Sequence, residues 1–84
     1  MDDFDPAKDA LNRSKHGISL ARWIELDIKK TVIDDRQNYG EVRYRAYGYI
    51  EGVAYCLAFA GRDGRVRPIS LRRAHAKEMR RYVP

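Results

Sequence analysis

The fold class of this chain is decided by the stretch VRYRAYGYIEGVAYCLAFAGRDGRVRPISL (Val42–Leu71). Apolar or small residues alternate with arginine and tyrosine over residues 42–50, a pattern typical of a strand with one face toward a core. Glu51-Gly52 predicts a tight turn, and the nearly continuous apolar run over residues 53–60 fits a central strand covered on both faces. GRDG (residues 61–64) predicts a second turn. A third strand is predicted over residues 65–71, where Pro68 indicates an edge or a bulge because proline has no N–H to donate.

The segment before these strands has helical periodicity and helix-capping residues. Asp5 followed by Pro6 fits an N-cap and a first helical position, and Gly17 fits a left-handed C-terminal cap. A second helix is predicted after Ser19, because serine caps helix N-termini and apolar residues follow at helical spacing, namely Leu20, Trp23 and Ile24. A short leading strand is predicted over residues 32–34.

A closing helix is predicted near the C terminus. Ala76, Met79 and Val83 form a stripe that could pack on the sheet, and the opposite face carries Arg73, Lys77, Arg80 and Arg81. Four like charges without interleaved acids repel one another, and a bound polyanion would relieve that repulsion. The predicted architecture is two N-terminal helices, an antiparallel sheet of three to four strands and a C-terminal helix, in a single α+β domain over residues 1–84.

Charge is segregated along the sequence. Residues 1–35 hold six basic and eight acidic side chains, whereas residues 36–84 hold eleven basic and four acidic ones, so the net charge of +5 belongs to the second half. This distribution favours a polyanionic partner, nucleic acid first, with a basic surface that binds no ligand as the alternative. The acidic opening MDDFD and the lack of a long apolar run predict a cytoplasmic protein with no membrane partner.

The residue inventory gives poor support to metal or cofactor chemistry. His16, His75 and Cys56 are far apart in sequence and show no ligand pairing. Cys56, within the most apolar strand, is expected to be a small core residue. RNA cleavage without a metal fits better, because the 2′-hydroxyl of the RNA supplies the nucleophile. The protein then has to position the backbone, neutralise phosphate charge and transfer protons.

Lys15 and His16 lie at the end of the first predicted helix. One interpretation is that both side chains satisfy free carbonyls and favour the helix dipole. The functional interpretation is that one of them reaches a phosphate as acid, base or charge stabiliser. Local sequence leaves both interpretations open.

Three blocks of the sequence resemble the BrnT toxin family. DPAKDALNRSKHGIS (Asp5–Ser19) resembles its opening pattern D-P-x-K-x-x-x-N-x-x-K-H-G-[IV]-S, and DRQNYGEVRYRAYG (Asp35–Gly48) resembles its D-x-R…G-E-x-R…G block. RVRPISLRRAHAKEMRRY (Arg65–Tyr82) is similar to its closing pattern, R-I-x-I-S-x-R-R-A…E-R-x-x-Y. The blocks occur in the family's order and cover most of the chain.

This resemblance implies a RelE-like fold and a ribonuclease toxin of a type II toxin–antitoxin pair. It also implies a BrnA-like ribbon-helix-helix antitoxin, which neutralises the toxin in a hetero-oligomer that binds operator DNA through the antitoxin. The family's important arginines correspond to Arg62 and Arg72, and Glu78 matches an acidic helix position. Ala60 and Gly61 precede Arg62 where the family commonly has threonine and a larger residue, so a weakened nuclease activity is an open alternative.

The resulting hypothesis is a metal-independent endoribonuclease toxin that cleaves mRNA by 2′-hydroxyl attack. Arg62 and Arg72 are the predicted phosphate-stabilising residues, and His16 is the predicted proton-transfer group. The predicted RNA-binding residues are Lys15, Arg43, Arg45, Arg67, Arg73, Lys77 and Arg80. The rival hypothesis is a noncatalytic module that uses the same basic surface to bind nucleic acid or an antitoxin-like protein. A standalone DNA-binding repressor is a weaker alternative, because no recognition-helix motif is present.

Overall fold

The chain folds as an antiparallel sheet with helices before and after it, in a computed structural model that describes residues 5–84 apart from the side chain of Arg62. In chain order the elements are helix α1 (Pro6–His16), a 3₁₀ helix (Leu20–Glu25), strands β1 (Asp27–Ile33), β2 (Arg43–Ile50), β3 (Val53–Arg62) and β4 (Arg65–Arg73), and helix α2 (Ala76–Tyr82). The sheet order is β1-β2-β3-β4. The α+β class, the antiparallel sheet and the C-terminal helix are confirmed. Over residues 5–84, no helix has the length and apolar character needed to cross a bilayer.

Helix α1 begins and ends where its capping residues predict. The Asp5 side chain accepts a hydrogen bond from the N–H of Ala7 at 2.9 Å, and Pro6 occupies the first helical position. Gly17 has a φ of 71°, a left-handed conformation that glycine adopts without strain, and its N–H donates to the carbonyl of Arg13. Both ends of α1 therefore follow from the local sequence.

The second predicted α-helix is instead a short 3₁₀ helix. The 3₁₀ helix and its C-cap residue pack three side chains into the core, namely Leu20, Trp23 and Leu26. These residues are three positions apart, which matches the three residues per turn of a 3₁₀ helix. Ile24, predicted to face the core, lies off this repeat and is 68% exposed. The prediction of two N-terminal α-helices is corrected to one α-helix and one 3₁₀ helix.

Two-residue turns of type I′ connect β2 to β3 and β3 to β4. The φ values are 49° and 76° at Glu51-Gly52, and 53° and 74° at Asp63-Gly64. Positive φ at both central residues defines this turn, which matches the twist of the strands it joins. The second turn is therefore tighter than predicted, because residues 61–62 belong to β3.

Strand β1 is longer than its sequence predicts. It covers Asp27–Ile33 rather than residues 32–34, and its side chains are mostly exposed, so apolar alternation does not reveal it. Its backbone passes so close to β2 that a Cβ at Gly48 would collide with the carbonyl of Asp27. The pairing with β2 shifts between Ile28 and Lys30, which marks a bulge in β1.

Strand β4 forms the opposite edge of the sheet and confirms both expectations for Pro68. Ala58 of β3 pairs with Ser70, and the next residue, Phe59, pairs with Pro68. Ile69 is therefore an additional, bulged residue. A proline tolerates this position because an edge strand with a bulge has N–H groups that need not bond to a neighbour.

One face of the sheet carries the apolar core. α1 and the 3₁₀ helix both lie against β4, and Trp23, Tyr55 and Phe59 surround the fully buried residues. The members of this core are Ile18, Leu20, Leu26, Ala46, Ile50, Leu57 and Leu71. The core is therefore built from every second residue of the strands together with the segment after α1.

The opposite face, here called the arginine face, is defined by Arg43, Arg45, Tyr47, Arg67 and Arg72. Their positions follow from the register, since residues paired across antiparallel strands point to the same side. Arg43 and Arg67 both pair with Ala60, while Tyr47 and Arg72 both pair with Cys56. β3 is thus covered on its second face largely by long side chains from its neighbours.

The side-chain amide of Asn12 joins α1 to the free edge of β4. Its nitrogen donates to the carbonyls of Ile18 and Leu71, each at 2.9 Å, and its oxygen accepts from the N–H of Leu71 at 2.8 Å. Asn12 is only 3% exposed. The amide thus makes the donor and acceptor contacts that a further strand would make, and it closes this edge of the sheet.

We expect Asn12→Ala to lower the free energy of unfolding by about 2–4 kcal/mol, because it leaves the buried N–H and C=O of Leu71 without partners. Ser14→Ala, at an exposed position of the same helix, is the matched control and should change stability by less than about 0.5 kcal/mol. Chemical denaturation followed by circular dichroism measures both. Equal stability of the two variants would contradict the role assigned to Asn12.

Candidate nucleic-acid interface

The arginine face has a floor of small residues between two rows of long ones. On this face β3 contributes Ala54, Cys56, Ala58 and Ala60, while β2 and β4 contribute arginines and a tyrosine on either side. Small side chains at alternate positions of the central strand let the long side chains of β2 and β4 lie over β3, and Cys56 and Ala60 are buried as a result. The sequence therefore places guanidinium groups along both sides of β3.

Arg72 is held by Glu78 in a bidentate ion pair. Its two terminal nitrogens donate to the two carboxylate oxygens at 2.8 and 2.9 Å. Both side chains are largely buried, with 25% and 18% of their surfaces exposed. The hydrogen bonds from Arg72 lower the pKa of Glu78 to about 2, and the same interaction raises the pKa of Arg72. Both groups are therefore charged at neutral pH.

Glu78 also connects α2 to the sheet. It accepts hydrogen bonds from the Tyr47 hydroxyl and from the N–H of His75, each at 2.9 Å. The ring of Tyr82 stacks on Tyr47 with centroids 4.9 Å apart. Burial raises the pKa of Tyr47, which keeps its phenol protonated as a donor.

The predicted apolar stripe of α2 is only partly buried. Ala76 is exposed, Met79 and Val83 are half-buried, and none of the helix residues is fully buried. The Glu78 hydrogen bonds and the Tyr82 stack also hold α2 against the sheet. The packing prediction for α2 is therefore corrected for Ala76, and polar contacts are added to the apolar ones.

A cleft of about 200 Å³ opens between β2 and α2. It is lined by Arg45, Lys77, Glu78, Arg81 and Tyr82. Arg45 donates to the Tyr47 hydroxyl at 2.8 Å, which fixes its position. Among residues 5–84, no carboxylate lies within ion-pair distance of Lys77 or Arg81. Three cations and one already-paired carboxylate give the cleft a positive potential.

A second cluster lies along the arginine face toward the β3–β4 turn. Arg67 donates to both carboxylate oxygens of Glu41, at 2.7 and 3.1 Å, and Arg43 lies 3.6 Å from the same carboxylate. Although burial acts in the opposite direction, the two arginines lower the pKa of Glu41. The Nε–H groups of Arg43, Arg45 and Arg67 are buried and make no hydrogen bond within the described part of the chain. A further acceptor reaches them only if these side chains move.

A third basic site is the groove between α1 and β4. Its volume is about 270 Å³ and its basic or polar lining includes Lys8, Lys15, His16 and Ser70. The ion pairs found among the described residues involve none of these three basic side chains. Ser70 lies two positions before Arg72 in β4, so the groove adjoins the arginine face at its edge.

The structure brings some of the predicted site residues together and separates others. Arg45 and Lys77 line the cleft beside Arg72, and Arg43 and Arg67 share the same sheet face. Lys15 and His16 line the α1–β4 groove instead. Arg80 is exposed on α2. Seven of the ten predicted residues therefore fall into three basic sites instead of one.

Arg73 points away from the arginine face. It pairs with Tyr55, whose ring packs against the core, and its guanidinium lies 6.0 Å from that ring. The strand alternation that puts Arg72 on one face puts Arg73 on the other. Arg73 is therefore not among the residues that surround the cleft.

Arg62 ends β3 and pairs with Arg65, and its side chain lies outside the described part of the structure. Arg72 pairs with Cys56, which lies six positions before Arg62 in β3. At 3.3 Å per residue, the two ends of this stretch of β3 are about 20 Å apart. The backbones of Arg62 and Arg72 thus start from opposite ends of the sheet. The role of Arg62 at a phosphate stays a prediction.

The sequence pattern placed Arg81 with Lys77 on the charged face of the last helix, but the contributions of Tyr47, Tyr82 and Glu41 to the two clusters were not predicted. The alternation over residues 42–50 carried a usable signal, because it already placed Tyr47 on one face with Arg43 and Arg45. The contacts of Tyr82 and Glu41 are made across distant parts of the chain and have no local signature. Cys56 is buried as expected, and burial raises the pKa of its thiol. Over the described residues, no group of three or more His, Cys, Asp or Glu side chains is placed to hold a metal ion.

A cation-lined cleft on the sheet of a small α+β domain is typical of proteins that bind polyanions. Over residues 4–78 the chain matches the family described as the ribonuclease toxin BrnT of type II toxin–antitoxin systems, and it therefore belongs to the BrnT family. No curated protein and no solved structure gave a significant match. Membership makes the chain, at the level of the family, a ribonuclease toxin whose partner is an antitoxin protein.

We expect the Arg72–Glu78 pair to make stability depend on pH. Because the pKa of Glu78 is below its ordinary value of 4.5, its carboxylate stabilises the fold above about pH 4.5, and this contribution is lost as the pH falls toward 2. Glu78→Gln should therefore lower stability by about 1–3 kcal/mol at pH 7, and its stability should converge with that of the unchanged chain at low pH. Urea unfolding from pH 2 to pH 7 measures the difference.

The matched control is Glu51→Gln, at a side chain that is 82% exposed. This variant should follow the unchanged chain across the pH range. A hydrogen bond from Arg36 lowers the pKa of Asp34 to about 2. Because Asp34 is present in both variants, both should still lose some stability in acid. A constant offset of Glu78→Gln from pH 2 to pH 7 would contradict the assignment of this pKa.

Proposed function

We propose that this chain is a cytoplasmic endoribonuclease toxin that cleaves mRNA by 2′-hydroxyl attack without a metal, at the cleft between β2, β4 and α2. The observation that carries the proposal is the placement of Arg45 and Arg72 beside one carboxylate, Glu78, and one accessible tyrosine, Tyr82. Two guanidinium groups can neutralise a phosphate, and the other two side chains can transfer protons. Family membership supports the ribonuclease activity.

Arg72 is proposed to stabilise the charge of the transition state. Glu78 occupies two of the five guanidinium N–H donors in the free protein. A bound phosphate competes for these donors, and Arg45 can approach the same phosphate from β2. Guanidinium groups stabilise the additional negative charge of a pentavalent phosphorus better than that of the ground state.

Glu78 is proposed to accept the proton of the 2′-hydroxyl. Its low pKa in the free protein results from Arg72, so a phosphate that draws Arg72 away raises the pKa of Glu78 and makes it a stronger base. The 2′-oxygen then forms a bond to phosphorus, and the bond from phosphorus to the 5′-oxygen breaks. Tyr82 lines the cleft, and its phenol can return a proton to the leaving 5′-oxygen. The products would be a 2′,3′-cyclic phosphate and a free 5′-hydroxyl.

His16 is better suited to RNA binding than to this proton transfer. It lines the α1–β4 groove with Lys8 and Lys15, whereas Glu78 and Tyr82 line the cleft. We propose that the RNA crosses the edge of β4 near Ser70, and that the groove binds a phosphate of the same RNA beyond that point. The backbone of an RNA strand carries a phosphate at each nucleotide, so one molecule can contact both sites.

Arg43 and Arg67 are proposed to bind the RNA backbone on the arginine face, toward the β3–β4 turn. The backbone of Arg62 lies two strand positions beyond Ala60, which both arginines flank. Arg62 is therefore proposed to contact a phosphate near this cluster. Lys77 and Arg80 on α2 would add sequence-independent attraction for the RNA.

The antitoxin is proposed to be a BrnA-like ribbon-helix-helix protein. It would neutralise the toxin in a hetero-oligomer and bind operator DNA with its own domain. Support for a protein partner comes from the family, which belongs to type II toxin–antitoxin systems. The basic arginine face is complementary to an acidic segment of such a partner.

We expect Arg72→Ala to reduce RNA cleavage at least 100-fold in the presence of EDTA, because one removed donor to a developing charge commonly costs that much. Arg73→Ala is the matched control, since Arg73 is the adjacent arginine on the opposite face. It should retain cleavage within threefold. Gel analysis of a labelled mRNA fragment, with mapping of the termini produced, gives both rates.

Full cleavage by Arg72→Ala would remove Arg72 from the mechanism. Loss of cleavage with EDTA and its recovery with Mg²⁺ would overturn metal independence. RNA that the unchanged chain retains without cleaving would favour the alternative of a noncatalytic basic binding module.

We expect Glu41→Gln to strengthen RNA binding about two- to fivefold, because it removes a negative charge beside Arg43 and Arg67. The probe is the same RNA with deoxyribose at the cleaved position, which cannot be cut. Glu25→Gln removes a charge that pairs with Arg22 outside the arginine face, and its affinity should match that of the unchanged chain. Weaker binding by Glu41→Gln would show that Glu41 positions Arg67 instead of competing with RNA.

A further inference from the structure

The two edge strands of the sheet differ in whether other described parts of the chain bond to their outer side. At β4 the amide of Asn12 bonds to both the N–H and the C=O of Leu71. At β1 the sheet order ends, and none of the described elements pairs with its outer side. An edge strand of seven residues has alternate N–H and C=O groups that are open to another strand.

The exposed apolar residues of the described chain are concentrated at this open edge. Five large apolar side chains are exposed, and four of them are Ile28 and Ile33 on β1, Val42 immediately before β2, and Ile24 in the 3₁₀ helix that precedes β1. The fifth, Leu11, is on α1 at the other side of the sheet. Ile28 and Ile33 point to the core face, but the helices lie over β4 and leave them 47% and 62% exposed.

The charge of β1 disfavours pairing of its open edge with β1 of a second copy of this chain. Antiparallel pairing of two β1 strands over their full length would set Lys30 opposite Lys30 and leave Lys29 near the same centre. Like charges directly opposite in a sheet are destabilising. A partner strand that has acidic residues at its centre and apolar ones toward its ends complements β1 instead.

We infer that β1 is the docking edge of the antitoxin, which adds an extended segment to the sheet. Backbone hydrogen bonds to the open side of β1 supply affinity, and apolar side chains of the segment cover Ile28 and Ile33. An acidic residue of the segment lies opposite Lys29 or Lys30. The inference rests on the antitoxin partner of the proposed function, adds the sheet edge that this partner uses, and is independent of RNA cleavage.

The test compares two sets of apolar-to-threonine variants for binding of the antitoxin produced from the gene adjacent to that of this chain. Ile28→Thr/Ile33→Thr removes exposed apolar surface from β1, and Leu11→Thr removes it from the other side of the sheet. We expect the double variant to bind at least tenfold more weakly and Leu11→Thr to bind within twofold of the unchanged chain. Binding is measured by calorimetry without RNA, so the result is independent of nuclease activity.

Hydrogen exchange supplies a second readout, which concerns the backbone. Amides within residues 27–33 should exchange at least tenfold more slowly in the complex, because the added strand bonds to them. Unchanged exchange in β1, equal affinities of the variants, or no binding by the unchanged chain would overturn the inference. Sedimentation of the chain alone that shows a dimer dissociated by Ile28→Thr/Ile33→Thr would also overturn it, since the edge would then belong to a second copy.

Discussion

The architecture depends on one buried amide. Asn12 is 59 positions away from Leu71 in sequence, yet its side chain satisfies both backbone groups of that residue and one carbonyl of the loop after α1. Asp9 also joins α1 to the start of the 3₁₀ helix by accepting from the Ser19 hydroxyl and the Leu20 N–H, but the amide of Asn12 bonds the helix to the sheet itself. Because the amide uses both of its N–H groups and its oxygen, it allows one placement of the helix and excludes others. The separation of the α1–β4 groove from the cleft follows from that placement.

The arginine face shows how a chain can keep several guanidinium groups near one another. Glu41 and Glu78 each hold arginines by short hydrogen bonds, and each has a lowered pKa as a result. These carboxylates reduce repulsion among the arginines and fix their positions before any ligand arrives. The same contacts oppose binding of an anion, which has to replace a carboxylate. The two carboxylates therefore fix the positions of the arginines in the free protein, and they lower the affinity of the site for an anion.

The local parts of the fold could be predicted from sequence, and the parts made by distant contacts could not. Asp5, Pro6 and Gly17 define α1, and the glycines of the two turns define the hairpins. The 3₁₀ helix was missed because its repeat of three is visible only once Leu26 is known to be buried. β1 was predicted too short, since an exposed edge strand lacks apolar alternation. At the site, alternation placed Arg43 and Arg45 together, but the separation of His16 from Arg72 depends on the long-range bond of Asn12.

The contacts that hold α2 have a consequence for the cleft when an anion binds. No residue of this helix is fully buried, and polar contacts of Glu78 and one aromatic stack hold it against the sheet. The same carboxylate that pairs with Arg72 therefore also holds the helix that forms one wall of the cleft. An anion that displaces Glu78 from Arg72 weakens the hold on α2, whereas the four strands keep their own backbone hydrogen bonds. Charge at the site and the position of this wall are thus coupled through one side chain.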